Sequence, residues 1–316
     1  MDGAKAESLT LGKEEVEAVQ VIVRTEKGPR DLQQDAYAWI QAGCPDGSIR
    51  CCCALADGMG GVAGGGVASQ LAVSAALRSV CPSLLAATEA QWVDLRFQGA
   101  VVRTAFAHAS ASLANASRGE PGLAPMATTL AMTIHVGPRV LVCHSGDTRV
   151  YAYGEHLELL TKDHSAAWPL VESSLIEVSE LRYVGSRSML TSFVSAESAE
   201  FEVGQHEVTQ EASFLLATDG FWELFDVPEL EALMEPLGRS AAMGRKSPED
   251  VADDLQKEAL RRTPMDNATF ILVAPDERGR GRTGRYPCVG GMSTFVRTQK
   301  EEVSHGADAV SLRPTR

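Results

Sequence analysis

Residues 49–61 read IRCCCALADGMGG, an apolar run that ends abruptly at an acidic residue and a group of glycines. The short apolar run Ile49–Ala56 predicts a buried β-strand that delivers Asp57 to its end. The three consecutive cysteines are predicted to be small core residues, because neighbours on a strand point to opposite faces and cannot all join one site. A redox or zinc role for them is the alternative.

Further strands are predicted in hairpin-like pairs on both sides of this stretch, with helices grouped between them. The predicted strands run from Glu17 to about Val23 and over 35–41, 49–56, 128–136, 139–145, 149–153, 157–161, 214–218 and 269–274. The predicted helices cover 67–79, 91–118, 228–235 and 248–262. This grouping indicates an α+β layered domain rather than alternating βαβ units. The stretch 165–205 shows no clear pattern.

The chain is predicted to contain one folded domain with a loose segment at each end. Residues 1–15 are polar and are expected to be flexible, and residues 16–275 form the domain. Residues 276–316 are rich in Arg and Gly and carry eight basic against five acidic residues. This tail is predicted to be mobile, with a docking segment as the alternative.

Composition and net charge indicate an ordinary globular protein and disfavour some classes of partner. The 316 residues are 44% hydrophobic and 22% charged, as in ordinary globular proteins, and the net charge is −13. That charge disfavours nucleic acid and anionic membranes as partners, because both attract basic proteins. We expect a cytoplasmic protein, since there is no apolar run of about 20 residues and no secretory signal pattern. The odd number of cysteines, seven, suits reduced thiols better than disulfides.

Five aspartates recur beside apolar strands, each next to a glycine or a small polar residue. They are Asp35, Asp57, Asp147, Asp219 and Asp266. If those strand ends converge, like charges about 4 Å apart repel by roughly 4 kcal/mol per pair at an effective dielectric constant near 20. Such a cluster needs cations, and oxygen ligands without His or Cys select Mg²⁺ or Mn²⁺. The alternative is five unrelated loop carboxylates.

Seven short motifs in order make the pattern specific. They are Arg30-x4-Asp35, Asp57-Gly58-Met59-Gly60-Gly61, Ala127-Thr128-Thr129, Gly146-Asp147-Thr148-Arg149, Thr161-x-Asp163-His164-Ser165, Thr218-Asp219-Gly220-Phe221-Trp222-Glu223 and Asp266-Asn267. Over residues 24–275 the chain resembles the metal-dependent Ser/Thr protein phosphatases of the protein phosphatase 2C family, in their bacterial form. The resemblance implies a four-layer αββα sandwich of two antiparallel sheets, with the metals at one rim.

The resemblance also implies a set of metal ligands for two Mn²⁺ or Mg²⁺ ions and a third, weaker ion found in bacterial members. In this set Asp57 bridges the first two ions, and the Gly58 carbonyl binds one of them. Asp219 and Asp266 hold the other, and Asp35 contacts an ion directly or through another ligand. The third ion lies on Asp147 and Asp219, with Glu223 nearby.

The implied reaction is hydrolysis of phosphoserine and phosphothreonine in proteins by a water that bridges the metals. Arg30 matches the family arginine that binds the substrate phosphate, and His164 is expected to make a structural hydrogen bond. No protein nucleophile is required. The implied partners are phosphoproteins, the targets of Ser/Thr kinases.

Some positions depart from the family pattern. Val62 and Gly66 stand where bacterial members often have His and Glu, and Val62 cannot donate a proton to the leaving group. In the segment 185–195, Ser188 and Ser192 replace a family Asn and Arg. These changes keep open a catalytically weak regulatory or binding module of the same fold. Hydrolysis of small phosphorylated metabolites is a separate alternative. The run Gly60–Gly66 lacks the Lys-Ser/Thr of a nucleotide-binding loop and predicts a tight strand-to-helix turn.

Overall fold

The computed structural model describes residues 19–44, 48–59, 61–123, 126–207, 212–238, 244–275 and 294–298. The strands are β1 Val19–Glu26, β2 Asp35–Gly43, β3 Ile49–Met59, β4 Ala127–Thr128, β5 Leu130–Val136, β6 Arg139–Ser145, β7 Arg149–Tyr153, β8 Leu157–Leu159, β9 Val194–Ser195, β10 Glu202–Glu207, β11 Ser213–Ala217, β12 Ala268–Pro275 and β13 Thr294–Thr298. The α-helices are α1 Gly61–Ala86, α2 Glu89–Val93, α3 Leu95–Gly119, α4 Trp168–Glu172, α5 Asp219–Trp222, α6 Val227–Met234 and α7 Pro248–Arg261. Short 3₁₀ helices cover Pro121–Leu123, Val178–Tyr183, Gly185–Ser188 and Glu235–Leu237.

The strands form two antiparallel sheets. The first has the order β1-β12-β11-β7-β8, and the second follows β10-β6-β5-β3-β2-β13, with the short β4 joining β3 to β9. The predicted hairpins β5–β6 and β7–β8 are present. β2 pairs with β3 over its whole length, from Asp35 opposite Asp57 to Gly43 opposite Ile49.

Three apolar clusters separate four layers. One lies between the sheets and includes Tyr37, Leu55 and Ile271. A second joins the outer face of the β2–β3 sheet to α1 and α3, and a third joins the outer face of the β11–β12 sheet to α6 and α7. The predicted αββα sandwich is therefore confirmed.

The cysteines of β3 are core residues, as the alternation along a strand predicts. Cys51 and Cys53 face the cluster between the sheets, and Cys52 faces the helices. All three are almost fully buried. Burial raises the pKa of the Cys52 and Cys53 thiols well above the ordinary value, which keeps them protonated and unreactive.

Helix α1 is longer than the sequence predicts, because the glycines expected to form a turn are already helical from Gly61. Their lack of side chains permits close packing: a Cβ atom on Gly65 would lie 2.6 Å from the Gly58 carbonyl oxygen. At the other end the buried Arg50 donates hydrogen bonds to the carbonyls of Leu84 and Ala87, at 2.9 and 2.6 Å. These bonds satisfy carbonyls at the helix end that lack partners within the helix.

The predicted helix 91–118 is two helices. Asp94 ends α2 and starts α3, where its side chain accepts a hydrogen bond from the Arg96 backbone at 2.8 Å. Aspartate is a favoured N-cap residue, so a new helix begins there. Apolar periodicity continues across the break, which hides it from a pattern search.

The stretch 165–205 contains α4, two 3₁₀ helices and the edge strands β9 and β10. Strand β10 escaped the sequence pattern because its residues are mostly exposed and polar. In the predicted tail, residues 294–298 pair with β2, whereas residues 1–15, 276–293 and 299–316 lie outside the described residues. Among the helices that the structure describes, none combines the length and the apolar character needed to cross a bilayer.

Candidate metal centre

The predicted aspartates lie at neighbouring strand and helix ends along one rim of the sandwich. Asp35 begins β2 and stands opposite Asp57 near the end of β3. Asp219 opens helix α5 directly after β11, and Asp266 lies two residues before β12. Since β11 and β12 are neighbours, these last two carboxylates meet at the same edge of the other sheet.

Asp35 is the most deeply buried of the five, at 1% exposure. The Thr218 hydroxyl donates a hydrogen bond to its Oδ2 at 3.0 Å, whereas its Oδ1 has no hydrogen-bond partner among the described residues. Burial, reinforced by the charges of Asp219 and Asp266, raises the pKa of Asp35 to about 8. A buried carboxylate oxygen without a donor is one that a cation would satisfy.

Asp57 lies at the centre of the cluster. Burial raises its pKa well above the ordinary value, and the charges of Asp35, Asp219, Asp147 and Asp266 raise it further, in that order. The other four carboxylates are therefore close enough to Asp57 for their charges to act on it.

The Ala127-Thr128-Thr129 motif explains how Asp57 is held. The Thr129 hydroxyl accepts a hydrogen bond from the Asp57 backbone N–H at 2.8 Å, and the Thr129 N–H donates to the Asp57 carbonyl at 2.9 Å. The Thr128 hydroxyl donates to the same carbonyl at 2.8 Å. The backbone around Asp57 is thus fixed from the side of β4.

Asp147 and Asp219 form the second part of the cluster. Burial raises the pKa of Asp147 well above its ordinary value, with the charge of Asp219 as the next cause. The Oδ1 atom of Asp219 is buried and has no hydrogen-bond partner within the described part of the chain. Arg149 opposes the rise in the pKa of Asp147 and Arg187 that of Asp219, but burial and the neighbouring carboxylates outweigh them.

Position 58 requires glycine because the backbone of Gly65 lies too close to leave room for a side chain, and not because of its backbone dihedral angles. A Cβ atom at Gly58 would lie 2.0 Å from the Gly65 carbonyl oxygen, so any side chain would drive β3 away from the start of α1. Gly220 is restricted in the same way, with a Cβ atom 2.1 Å from the Asn267 carbonyl oxygen. The two glycines let the acidic strand ends approach one another.

The residues present fit hard divalent cations. Among the described residues, the five aspartates supply oxygen donors at this rim, and two of their buried oxygens, Oδ1 of Asp35 and of Asp219, lack hydrogen-bond partners. The charges of neighbouring aspartates also raise the pKa of Asp35 and Asp57. Mg²⁺ and Mn²⁺ prefer such oxygen ligands.

Glu223, one turn after Asp219, is engaged by the segment that precedes β9. Its Oε2 lies 2.7 Å from Nη2 of Arg187 in an ion pair. Burial and then the charge of Asp219 raise the pKa of Glu223 to about 7, against the opposing effect of Arg187. Glu223 therefore lies beside the Asp147–Asp219 pair, with an arginine as its present partner.

Arg30 lies at the open side of the cluster, with half of its side chain exposed. Its guanidinium forms an ion pair with Asp266 and donates from Nε to the Met265 carbonyl at 3.5 Å. Asn267 holds the loop that carries Arg30, because its side-chain N–H groups donate to the carbonyls of Lys27 and Leu32 at 2.8 and 3.1 Å. An exposed, oriented guanidinium suits recognition of an anion that enters from solvent.

His164 makes the structural hydrogen bond that the sequence predicts, accepting at Nδ1 from the Gly146 backbone at 3.2 Å. Ligand atoms of His164, His144 and Glu202 all lie within 4.8 Å of one another, a spacing that could hold a metal ion. However, the Gly146 bond uses the Nδ1 lone pair and leaves the proton on Nε2, which faces Glu202 at 3.6 Å. That tautomer disfavours His164 as a ligand.

Sequence reasoning missed the residues that support the carboxylates from behind. Thr218 bonds to Asp35, Asn267 positions the Arg30 loop, and the Trp222 indole N–H donates to the Asp147 carbonyl at 3.0 Å. All three lie within the motifs quoted above, so a position near a predicted metal-binding aspartate was the only feature of the sequence that could have indicated their role. The side chain of Val62 lies outside the described residues.

Comparison with known proteins points to one family. The family model described as Protein phosphatase 2C matches residues 29–258. The serine/threonine protein phosphatase PstP of Mycobacterium tuberculosis is 30% identical over 232 residues, which is 73% of this chain and 41% of the relative. The chain therefore spans less than half the length of that relative. The serine/threonine phosphatase stp of Listeria monocytogenes is 29% identical over 234 residues, 72% of this chain and 86% of the relative.

Solved structures show the same fold. A crystal structure of the Mycobacterium tuberculosis phosphatase PstP/Ppp superposes with a TM-score of 0.63 at 28% identity and covers 81% of this chain and 98% of that one. The catalytic domain of PstP in complex with two manganese ions gives a TM-score of 0.62 at 26% identity, covering 81% and 98%.

Proposed function

The chain belongs to the protein phosphatase 2C family, and on this premise we propose that it is a metal-dependent phosphatase acting on phosphoserine and phosphothreonine in proteins. Residues 16–275 form the phosphatase domain. Two ions, Mn²⁺ or Mg²⁺, bind at the acidic rim, in keeping with the two manganese ions named for the PstP domain. Asp147 and Asp219, with Glu223 nearby, would hold a third, weaker ion.

The observation that carries the proposal is the convergence of the buried carboxylates around Asp57. Asp57, the Gly58 carbonyl, Asp219 and Asp266 are the residues that would hold the two ions. Asp35 supports the pair from the buried side. A fold without ions would gain nothing from crowding these charges in a desolvated pocket.

The residues of the chain bind and orient the substrate. When bound, the ions supply Lewis acidity toward the phosphoryl oxygens and an activated water at neutral pH. Arg30 holds the phosphate from the open side with a permanently charged, bidentate group, which requires it to leave Asp266. The reaction requires no protein nucleophile, and none is proposed.

The complete set of carboxylates favours an enzyme over a binding module of the same fold. The partners are phosphoproteins produced by Ser/Thr kinases. A cytoplasmic location is part of the proposal, supported by the reduced, buried thiols of Cys51, Cys52 and Cys53.

The test is hydrolysis of a phosphothreonine peptide and of p-nitrophenyl phosphate by the purified full chain. We expect activity with Mn²⁺, none with EDTA, and none for Asp219→Asn. Asp31→Asn, which removes an exposed carboxylate from the neighbouring loop, is the matched control and should keep full activity. Activity that persists in EDTA, or folded protein that is inactive with Mn²⁺, would reject the proposed function.

A further inference from the structure

We propose that Trp222 is a positioning residue that holds Asp147 and Asp219 at the separation required for the third ion. This inference rests on the proposed function, because it assumes an ion between those two carboxylates. The Trp222 side chain is only 4% exposed, and its burial alone would indicate a core residue rather than a role in metal affinity.

The first observation is a hydrogen bond between two otherwise separate segments. Trp222 lies on α5, the helix that begins with Asp219, and its indole N–H donates to the backbone carbonyl of Asp147 at 3.0 Å. The bond therefore joins the backbone of Asp147 to the helix that carries Asp219.

The second observation is that the indole ring is held in place. The Arg149 guanidinium carbon lies 3.5 Å from the centre of the Trp222 ring. The same guanidinium makes two hydrogen bonds to the buried Asp163, at 2.9 and 2.7 Å. A cation between a carboxylate and an aromatic face fixes the plane of the ring and so the direction of its N–H.

The third observation concerns the turn that carries Asp147. Gly146 is bound on both sides by His164, whose backbone N–H donates to the Gly146 carbonyl at 3.1 Å. The hydroxyl of Thr148 is hydrogen-bonded to that of Thr129 at 2.6 Å. These bonds attach the turn to its surroundings on either side of Asp147, whereas the Trp222 bond attaches it to α5.

Removal of the N–H would leave the Asp147 carbonyl without this donor and would let the turn move relative to α5. The third ion binds more weakly as a result, by about fivefold for the loss of one net hydrogen bond. The two tightly bound ions keep their affinity, because Thr128 and Thr129 hold Asp57, Thr218 holds Asp35, and the Trp222 bond ends on Asp147, which is not one of their ligands.

The experiment is a titration of the full, metal-free chain with Mn²⁺, in which free Mn²⁺ is followed by electron paramagnetic resonance. Wild type should show tight sites and one weaker site. Trp222→Phe, which keeps an aromatic ring under Arg149, should weaken the weaker site about fivefold and leave the tight sites unchanged. Trp92→Phe is the matched control, since Trp92 is equally buried and its indole N–H has no partner among the described residues.

Mn²⁺ titration of the Asp147→Asn variant and of its double variant with Trp222→Phe distinguishes a loss of Asp147 positioning from a general loosening of the structure. Asp147→Asn should abolish the weaker site, and adding Trp222→Phe to it should change nothing further. The proposal is overturned by an unchanged weaker site in Trp222→Phe, by equal weakening of all sites, by the same loss in Trp92→Phe, or by a wild type without an Asp147-dependent site. If Trp222→Phe does not fold, benzothienylalanine at position 222 replaces the N–H by sulfur in a ring of the same shape and must give the same weakening.

The readout distinguishes this inference from the proposed function. Wild type that binds Mn²⁺ at both classes of site but does not hydrolyse phosphopeptides rejects the function and leaves the role of Trp222 intact. Wild type that hydrolyses phosphopeptides but shows no effect of Trp222→Phe on Mn²⁺ binding rejects only the inference.

Discussion

Asp35 and Asp57 stand directly opposite each other on the antiparallel strands β2 and β3. Like charges in that arrangement destabilise a sheet unless something compensates them. Here burial raises the pKa of both carboxyl groups, and the charge of Asp35 raises the pKa of Asp57 further. The fold therefore contains a local electrostatic cost that divalent ions would remove.

Asp57→Asn is the first prediction. It should reduce phosphopeptide hydrolysis in Mn²⁺ by more than about a hundredfold, because the bridging ligand is lost. At pH 8.5 in EDTA the same variant should have a higher free energy of unfolding than wild type, since one of the repelling charges is gone. Denaturant unfolding measures the second effect. Lower stability in EDTA together with unchanged hydrolysis would show that Asp57 does not face a shared ion.

Arg30 should bind the substrate rather than the metals. We expect Arg30→Ala to lower kcat/KM for a phosphothreonine peptide by roughly 10- to 100-fold, the cost of lost hydrogen bonds to a charged group. Mn²⁺ affinity should not fall, because the variant removes a cation that pairs with Asp266. Steady-state kinetics and Mn²⁺ titration measure both. Arg96→Ala, an exposed arginine at the start of α3, serves as control, and equal losses in the two variants would contradict the assignment.

The buried Arg149–Asp163 pair should be costly to break. Both side chains are less than 5% exposed and their closest contact is 2.7 Å. Asp163→Asn leaves the guanidinium buried without its counter-charge and should lower the free energy of unfolding by about 3 kcal/mol. The double variant with Arg149→Met should recover part of that loss, because no uncompensated charge remains. Chemical denaturation of the three variants is the measurement, and a neutral single variant would be inconsistent with the pairing.

His135 supplies a pH dependence outside the metal centre. It is buried on β5 against Phe214, and burial lowers its pKa from about 6.5 to about 4. Since the folded pKa is depressed, the stability associated with neutral His135 is present above pH 6.5 and is lost as the pH falls toward 4. The loss amounts to about 3 kcal/mol for a shift of this size.

His135→Phe should therefore flatten the stability profile between pH 6.5 and 4. His108→Gln, which changes an exposed histidine on α3, should leave the profile as in wild type. Urea midpoints across this range provide the comparison. A wild-type slope that survives in His135→Phe would assign the acid sensitivity to other groups.

The sequence predicted the site better than it predicted the boundaries of the helices. The aspartates could be found because the strand run before Asp57 and the run before Asp219 are strongly apolar and end at Asp-Gly. Helix α1 was predicted too short, since glycine disfavours helices in general and its use here for close packing against Gly58 depends on tertiary contacts. Strand β10 was missed because an exposed edge strand lacks apolar alternation.

The residues that support the site were recognisable only as neighbours of the aspartates. The hydrogen bonds from Thr218 to Asp35 and from Trp222 to Asp147 span 183 and 75 residues of sequence. No local pattern encodes such a pairing, since it depends on the order of strands in the two sheets. The arginine partner of Glu223 comes from the segment 165–205, where the pattern was unclear, so that ion pair was equally out of reach.

The central claim is that acidic residues from position 35 to position 266 form one pocket for divalent ions. A crystal structure of the full chain grown in Mn²⁺, with anomalous difference maps recorded at the manganese absorption edge, tests it most directly. We predict two strong peaks between Asp57, Asp219 and Asp266, with a weaker one beside Asp147. Maps in which manganese is absent from this rim, or is bound only at His144 and Glu202, would contradict the account.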